Sequence, residues 1–107
     1  MTYHQELASG RWHSLTLAEQ LGNVGSEFGR TLVANRQGNN ERKEKAMMRF
    51  YELIDLTITD PRWAGPRRFE LARLREQAAE EFEHPVSPQT SLQKYFDYFA
   101  LVARTKS

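Results

Sequence analysis

The chain of 107 residues contains no cysteine, which excludes disulfides, thiolate catalysis and cysteine-ligated zinc and suits a reducing cytoplasm. No apolar run approaches the roughly 20 residues of a membrane span. The opening MTYHQELASGRW lacks the apolar block of a secretion signal. A surplus of either charge is missing too: 15 Lys and Arg stand against 14 Asp and Glu, a formal net charge of +1. Bulk charge therefore argues against indiscriminate nucleic-acid binding, and any such contact must come from a local patch. Strand-like alternation, internal repeats and low-complexity segments are absent as well. What remains, at 39% hydrophobic and 27% charged residues, is the profile of one soluble cytoplasmic domain with a single core.

Glycine is scarce, yet half of it falls in one helix. Leu17, Leu21, Val24, Phe28 and Leu32 recur at spacings of four, three, four and four, an ordinary core stripe at 3.6 residues per turn. About a third of a turn away runs a second line, Gly22, Gly25, Ser26 and Gly29, made only of small residues. Each helical glycine costs roughly 1 kcal/mol relative to alanine. Close approach of another backbone would offset that cost, and the neighbour is either a helix of the same chain or one of another subunit.

Four helical segments follow from the periodicity. Thr16 and Glu19 fit a capping box at the start of the first helix. Gln37 to Asn40, QGNN, ends it near Arg36 with glycine available for a left-handed cap, and Asn39 or Asn40 caps the second helix. That helix places Ala46, Met47, Phe50, Leu53, Ile54 and Ile58 on one face and ends at Asp60-Pro61. Gly65 and Pro66 suit the N-cap and first position of a third helix, with Leu71, Leu74, Ala78 and Phe82 inward. His84-Pro85 and Ser87-Pro88 break the pattern before a fourth helix, from Pro88 or Ser91 to Arg104, whose inner face reads Leu92, Tyr95, Phe96, Phe99 and Ala103. Residues 1–13 form a lead-in and residues 14–107 an all-α, antiparallel up-down four-helix bundle.

No catalytic or metal-binding pattern in the sequence completes a site. Glu81-Phe82-Glu83-His84 holds a single Glu-x-x-His, whereas a di-iron bundle needs a second such motif and two further inward glutamates. No G-x-S-x-G is present, and the glycine line has neither the preceding strand nor the lysine of a phosphate loop. No arginine precedes His13 or His84 by the four to six residues of the helical HEPN nucleases. The expectation is a non-enzymatic protein without metal or cofactor. The polar line Glu19, Asn23, Glu27 and Arg30 is read as a solvated helix face, or as a contact to a partner with Gln20 and Glu27 nearest the core.

An up-down course would gather Arg11, Trp12, Arg62, Trp63, Arg67, Arg68, Arg104 and Lys106 at one end of the bundle. Arg67 and Arg68 sit in the first turn of a helix, where the macrodipole disfavours cations. A docked anion would resolve that conflict, with arginine forks on phosphates and tryptophan faces on unpaired bases. The alternative is structural: the arginines satisfy carbonyls and pair with Asp55, Asp60 or Glu70 while the tryptophans close the core. At the other end Arg36, Arg42, Lys43 and Lys45 are expected to cancel against Glu76, Glu80, Glu81 and Glu83. Phe69, Tyr98 and Leu101 point away from their helices' inner faces, as solvent-exposed scatter or as a subunit interface. With the glycine line they favour homo-oligomerisation.

The strings LAEQLGNVGSEFGR, RFYELIDLTITDPRW and RFELARLRE resemble short bacterial proteins described as four-helix bundles, over residues 14 to 104. More distantly, size and layout are similar to the proteins encoded in ribosomal RNA intervening sequences and to the accessory variability proteins of diversity-generating retroelements. That resemblance implies a homo-oligomer, a pentamer in that group, and RNA or DNA and a reverse transcriptase as partners. The functional expectation is thus a non-enzymatic accessory or adaptor protein; the alternative is a protein-binding partner in a toxin-antitoxin or phage-encoded complex.

Overall fold

The computed structural model describes residues 10–84 and 91–105. Over them the chain is helical: a 3-10 turn at Arg11–Ser14, α1 at Leu17–Arg36, α2 at Asn40–Ile58, a second 3-10 turn at Pro61–Trp63, α3 at Pro66–Glu83 and α4 at Ser91–Thr105. No strand occurs among the described residues.

Local chemistry sets these boundaries. The Thr16 hydroxyl accepts the Glu19 N–H at 3.1 Å while the Glu19 carboxylate accepts the Thr16 N–H at 2.8 Å, closing the capping box. At the other end of α1, Gly38 takes a φ of 68°. Its N–H donates to Asn35 O and that of Asn39 to Ala34 O, the paired bonds of a Schellman cap that only a residue tolerant of the left-handed region makes cheaply. Asn39 then caps α2 by accepting the Arg42 N–H at 3.1 Å. Pro66 opens α3 at its first position.

Helix α1 is the centre of the packing, with extensive contact to α2 on one flank and to α4 on the other; α3 lies mainly against α2. One phenylalanine from each helix meets in the core. Phe28 lies 6.1 Å from Phe50, 5.4 Å from Phe82 and 5.3 Å from Phe96, centroid to centroid, and all four rings are at most 2% exposed. Tilted pairs at these separations contribute about 0.5–1.5 kcal/mol each beyond burial itself.

The glycine line is explained by α4 of the same chain. A Cβ on Gly25 would fall 2.3 Å from Phe96 Cβ, one on Gly22 3.1 Å from Ala100 Cα, and one on Gly29 3.2 Å from Gln93 Oε1. All three glycines therefore serve intrachain helix packing, which removes the need for a second subunit there; Ser26 remains exposed. One inward assignment changes, and one lead-in residue joins the core. Tyr95 is 44% exposed, flanking the inner face of α4 where Leu92 and Phe96 are buried. Trp12, assigned to the lead-in, is 1% exposed and belongs to the core.

A candidate anion-binding cleft

Of the aromatic and basic residues expected at one end, Trp12, Arg62, Trp63, Arg67 and Arg68 meet around the α2–α3 connection, largely to satisfy groups of the chain itself. Trp12 is buried, and its indole N–H donates to Thr57 Oγ1 at 3.0 Å; no face is left for a nucleotide base. Asp60 is fully buried. Its carboxylate accepts Arg62 Nη2 at 2.7 Å, Arg62 Nε at 3.1 and 3.2 Å, the Arg62 backbone N–H at 3.0 Å and Gln20 Nε2 at 3.0 Å. The Arg62 side-chain bonds, more than offsetting burial, hold this carboxyl far below the usual carboxylate range. Arg62 also donates to Leu15 O at 2.6 Å, Arg68 to Asp60 O at 3.0 Å, and Trp63 Nε1 to Gln20 Oε1 at 2.8 Å. The guanidinium groups of Arg62 and Arg67 cover the Trp63 ring at 4.6 and 5.9 Å.

Arg62 and Arg68 are therefore cross-braces of the α2–α3 connection. Of the expected contact residues, Arg11, Arg67 and Arg104 are exposed, and Lys106 lies outside the described residues. This end of the molecule is built mainly as a structural lock.

A different concentration of cations lies over α1. A cleft of about 830 Å³ is lined along α1 by Gly22, Gly25, Ser26, Gly29, Arg30, Val33 and Arg36, on the α2 side by Arg42, Lys45, Ala46 and Arg49, and on the α4 side by Gln93, Phe96, Asp97 and Ala100. Five cationic side chains thus converge on a wall that carries one carboxylate, Asp97, which itself accepts Gln93 Nε2 at 2.9 Å. Sequence placed them here in two ways. The small residues of α1 bring α4 close and keep the outer surface of α1 low. The helical period places Arg42, Lys45 and Arg49, at i, i+3 and i+7, on one flank of α2.

Glu27, not itself a lining residue, engages two of the lining arginines. Its side chain is only 3% exposed and bonds Arg30 Nη1 at 2.6 Å and Arg49 Nε at 3.4 Å. The expected solvated polar line is therefore broken at Glu27: a carboxylate this deep is tolerated because two guanidinium groups face it, and it in turn aims both of them. Lys45 pairs with Glu41 at 3.2 Å. Arg36 and Arg42 make no side-chain hydrogen bond or ion pair among the described residues.

The expected cancellation of charge at this end fails for a geometric reason. Of these four cations Lys43 reaches α3, donating to Phe82 O at 3.3 Å; Arg42 and Lys45 line the cleft from α2, and Arg36 lines it from the end of α1. Phe69, Tyr98 and Leu101 are 79%, 61% and 51% exposed, so they remain on the surface as expected.

Among the described residues no group of three or more His, Asp or Glu side chains is arranged to hold a metal ion. No helix among them is long and apolar enough to cross a membrane. In comparisons with protein-family models, curated proteins and solved structures, the chain matches none. The geometry itself is the basis for a functional reading.

Proposed function

We propose that the chain is a non-enzymatic, self-associating helical adaptor that holds a single-stranded nucleic acid by its phosphates in the cleft over α1. The observation that carries this is the convergence of Arg30, Arg36, Arg42, Lys45 and Arg49 on one cleft, two of them unengaged within the described chain. Guanidinium forks match phosphate oxygens two at a time, and Glu27 fixes two of the forks before a ligand arrives. The cleft offers no exposed aromatic face, Phe96 being 1% exposed. Contacts therefore go to the backbone, and binding is tolerant of sequence.

The resemblance to retroelement accessory proteins supplies the wider setting of the proposal: a cytoplasmic process served by a reverse transcriptase, with the adaptor as a ring-forming oligomer. An up-and-down course of the helices is part of it, supported by the three-residue turn between α1 and α2. A helical protein partner without nucleic acid is the second reading, favoured by the exposure of Phe69, Tyr98 and Leu101.

Salt separates the two. Five neutralised phosphates set a ceiling of about −3.5 on the slope of log Kobs against log salt for a single strand. Anisotropy of a labelled oligonucleotide should show a salt slope within that ceiling, and Arg36→Glu with Arg42→Glu should abolish binding at low salt. Salt-independent binding, or full binding by the double variant, would reject the nucleic-acid reading.

A further inference from the structure

The cations of the cleft have a counterpart on α3. Phe69, Arg73, Glu76, Glu80 and Glu83 recur at spacings of four and three, so they share one face of that helix. The opposite face carries Leu71, Leu74, Ala78 and Phe82, all buried. Every member of the outer stripe is exposed, and Glu76 and Glu80 make no hydrogen bond or ion pair among the described residues. Among the described residues nothing pairs with Glu76 or Glu80: no residue of α3 lines the cleft, and Lys43 is spent on a carbonyl.

The two charge patterns also agree in register. Along α3, Glu76, Glu80 and Glu83 step by four and then three. Read in the reverse direction along α2, Arg49, Lys45 and Arg42 step by four and then three as well. An α3 laid antiparallel to α2 would oppose the three carboxylates to the three cations over about 10.5 Å, the length of seven helical residues. The cleft has the remaining features of a helix-accepting groove: a small, exposed residue at Ser26 and a cationic bank. Phe69, two turns before Glu76, supplies an apolar anchor.

We propose that α3 of a second copy occupies the cleft, so that copies join head to tail through two different surfaces. Such a contact is heterologous and propagates until it closes into a ring or runs on as a filament. It stands independently of the nucleic-acid reading, and it makes the two occupants rivals for the same cations. Self-association and strand binding then exclude each other at any one cleft.

Charge reversal tests this on the intact chain by sedimentation velocity, with circular dichroism to verify the helical fold of each variant. The wild type should sediment as a multiple of 12.5 kDa at low salt and fall to a single chain as salt rises. Glu80→Lys with Glu83→Lys should be a single chain, and so should Arg42→Glu with Lys45→Glu. An equimolar mixture of the two should regain the higher mass, because the reversed positions 80 and 83 then oppose the reversed positions 45 and 42. Where a double variant does not fold, Glu80→Lys and Lys45→Glu are mixed instead, with the same expectation.

A wild type that is a single chain throughout, or assembly that survives either reversal, overturns the proposal. So does a mixture that stays dissociated. A single-stranded RNA that lowers the wild-type mass supports the shared cleft, whereas RNA bound without loss of mass overturns the rivalry. Absence of RNA binding bears only on the nucleic-acid reading and leaves the charge-swap result to decide this one.

Discussion

Replacing each helical glycine with alanine separates what α1 gains from intrinsic helicity from what it loses in contact with α4. In every case the substitution gains about 1 kcal/mol of helix propensity. The opposing term differs by position. At Gly25 the new Cβ falls 2.3 Å from Phe96 Cβ and 2.8 Å from Cγ, where carbon atoms normally rest about 3.5–4.0 Å apart. Phe96 is clamped against Phe28 and Phe50, so α4 itself must withdraw, and overpacking of this kind costs about 1–3 kcal/mol or somewhat more.

The net expectation for Gly25→Ala is a loss of about 1–2 kcal/mol, or roughly 4–8 °C in Tm for a chain of this size. At Gly29 the obstacle is the amide end of Gln93 at 3.2 Å, which swings aside, so Gly29→Ala should raise Tm by roughly 4 °C. Gly22→Ala meets the Ala100 backbone at 3.1 Å and should fall between the two. Urea and thermal unfolding followed by circular dichroism would rank the three variants. Equal effects at all three positions, or stabilisation by Gly25→Ala, would refute the packing of α4 on the glycine line.

Other consequences are equally direct. Asp60→Asn weakens the bonds that hold Arg62 and should destabilise the chain by about 2 kcal/mol at neutral pH, a value kept modest because Arg62 is 39% exposed. Because folding lowers the Asp60 pKa, its contribution is complete above the unfolded value near 3.8 and fades as pH falls below it. Chemical denaturation between pH 3 and pH 6 should therefore show a loss of stability in acid that Asp60→Asn lacks; parallel profiles would contradict the assignment. Phe28→Ala removes the ring common to three aromatic pairs and should cost about 3–5 kcal/mol, read as a fall in the urea midpoint. Glu27→Gln, which releases Arg30 and Arg49, should weaken oligonucleotide binding while leaving the salt slope within the same ceiling; unchanged affinity would show that Glu27 does not aim the cleft.

Helix limits and core were legible because they rest on local rules. The Thr16–Glu19 box, the Gly38 turn, the Asn39 cap and the Gly65-Pro66 start depend on residues only a few positions apart, and the core phenylalanines announce themselves by spacing. The exposure of Phe69, Tyr98 and Leu101 followed from the same periodicity. What spacing does not reveal is which flank of a helix meets which neighbour. Arg36, Arg42 and Lys45 sit close in sequence to Lys43, and proximity alone suggests that they face α3; the helical period of α2 turns Lys43 toward α3 and Arg42 and Lys45 toward the cleft, which Arg36 joins from the end of α1.

Glu27 and Arg49 were harder still, since their pairing joins two helices across 22 residues. A signal was present in the i, i+3, i+7 row of Arg42, Lys45 and Arg49 around the small Ala46, which marks a basic flank beside a tight helix contact. At the basic end the structural alternative holds for Arg62 and Arg68, which are engaged around Asp60. The burial of Asp60 depends on the whole connection from Trp12 to Arg68, so the string Asp60-Pro61-Arg62-Trp63 by itself leaves the pairing as one of two readings.

Whether the cleft over α1 or the Trp63 end receives a polyanion is decided by mapping amide and indole resonances of the labelled chain as a short single-stranded RNA is added at low salt. Occupation of the cleft should shift Ser26, Gly29, Arg36 and Arg42 and leave the Trp63 indole unmoved. Shifts centred on Trp63 and Arg67 with a silent cleft, or no shifts at all, would contradict it.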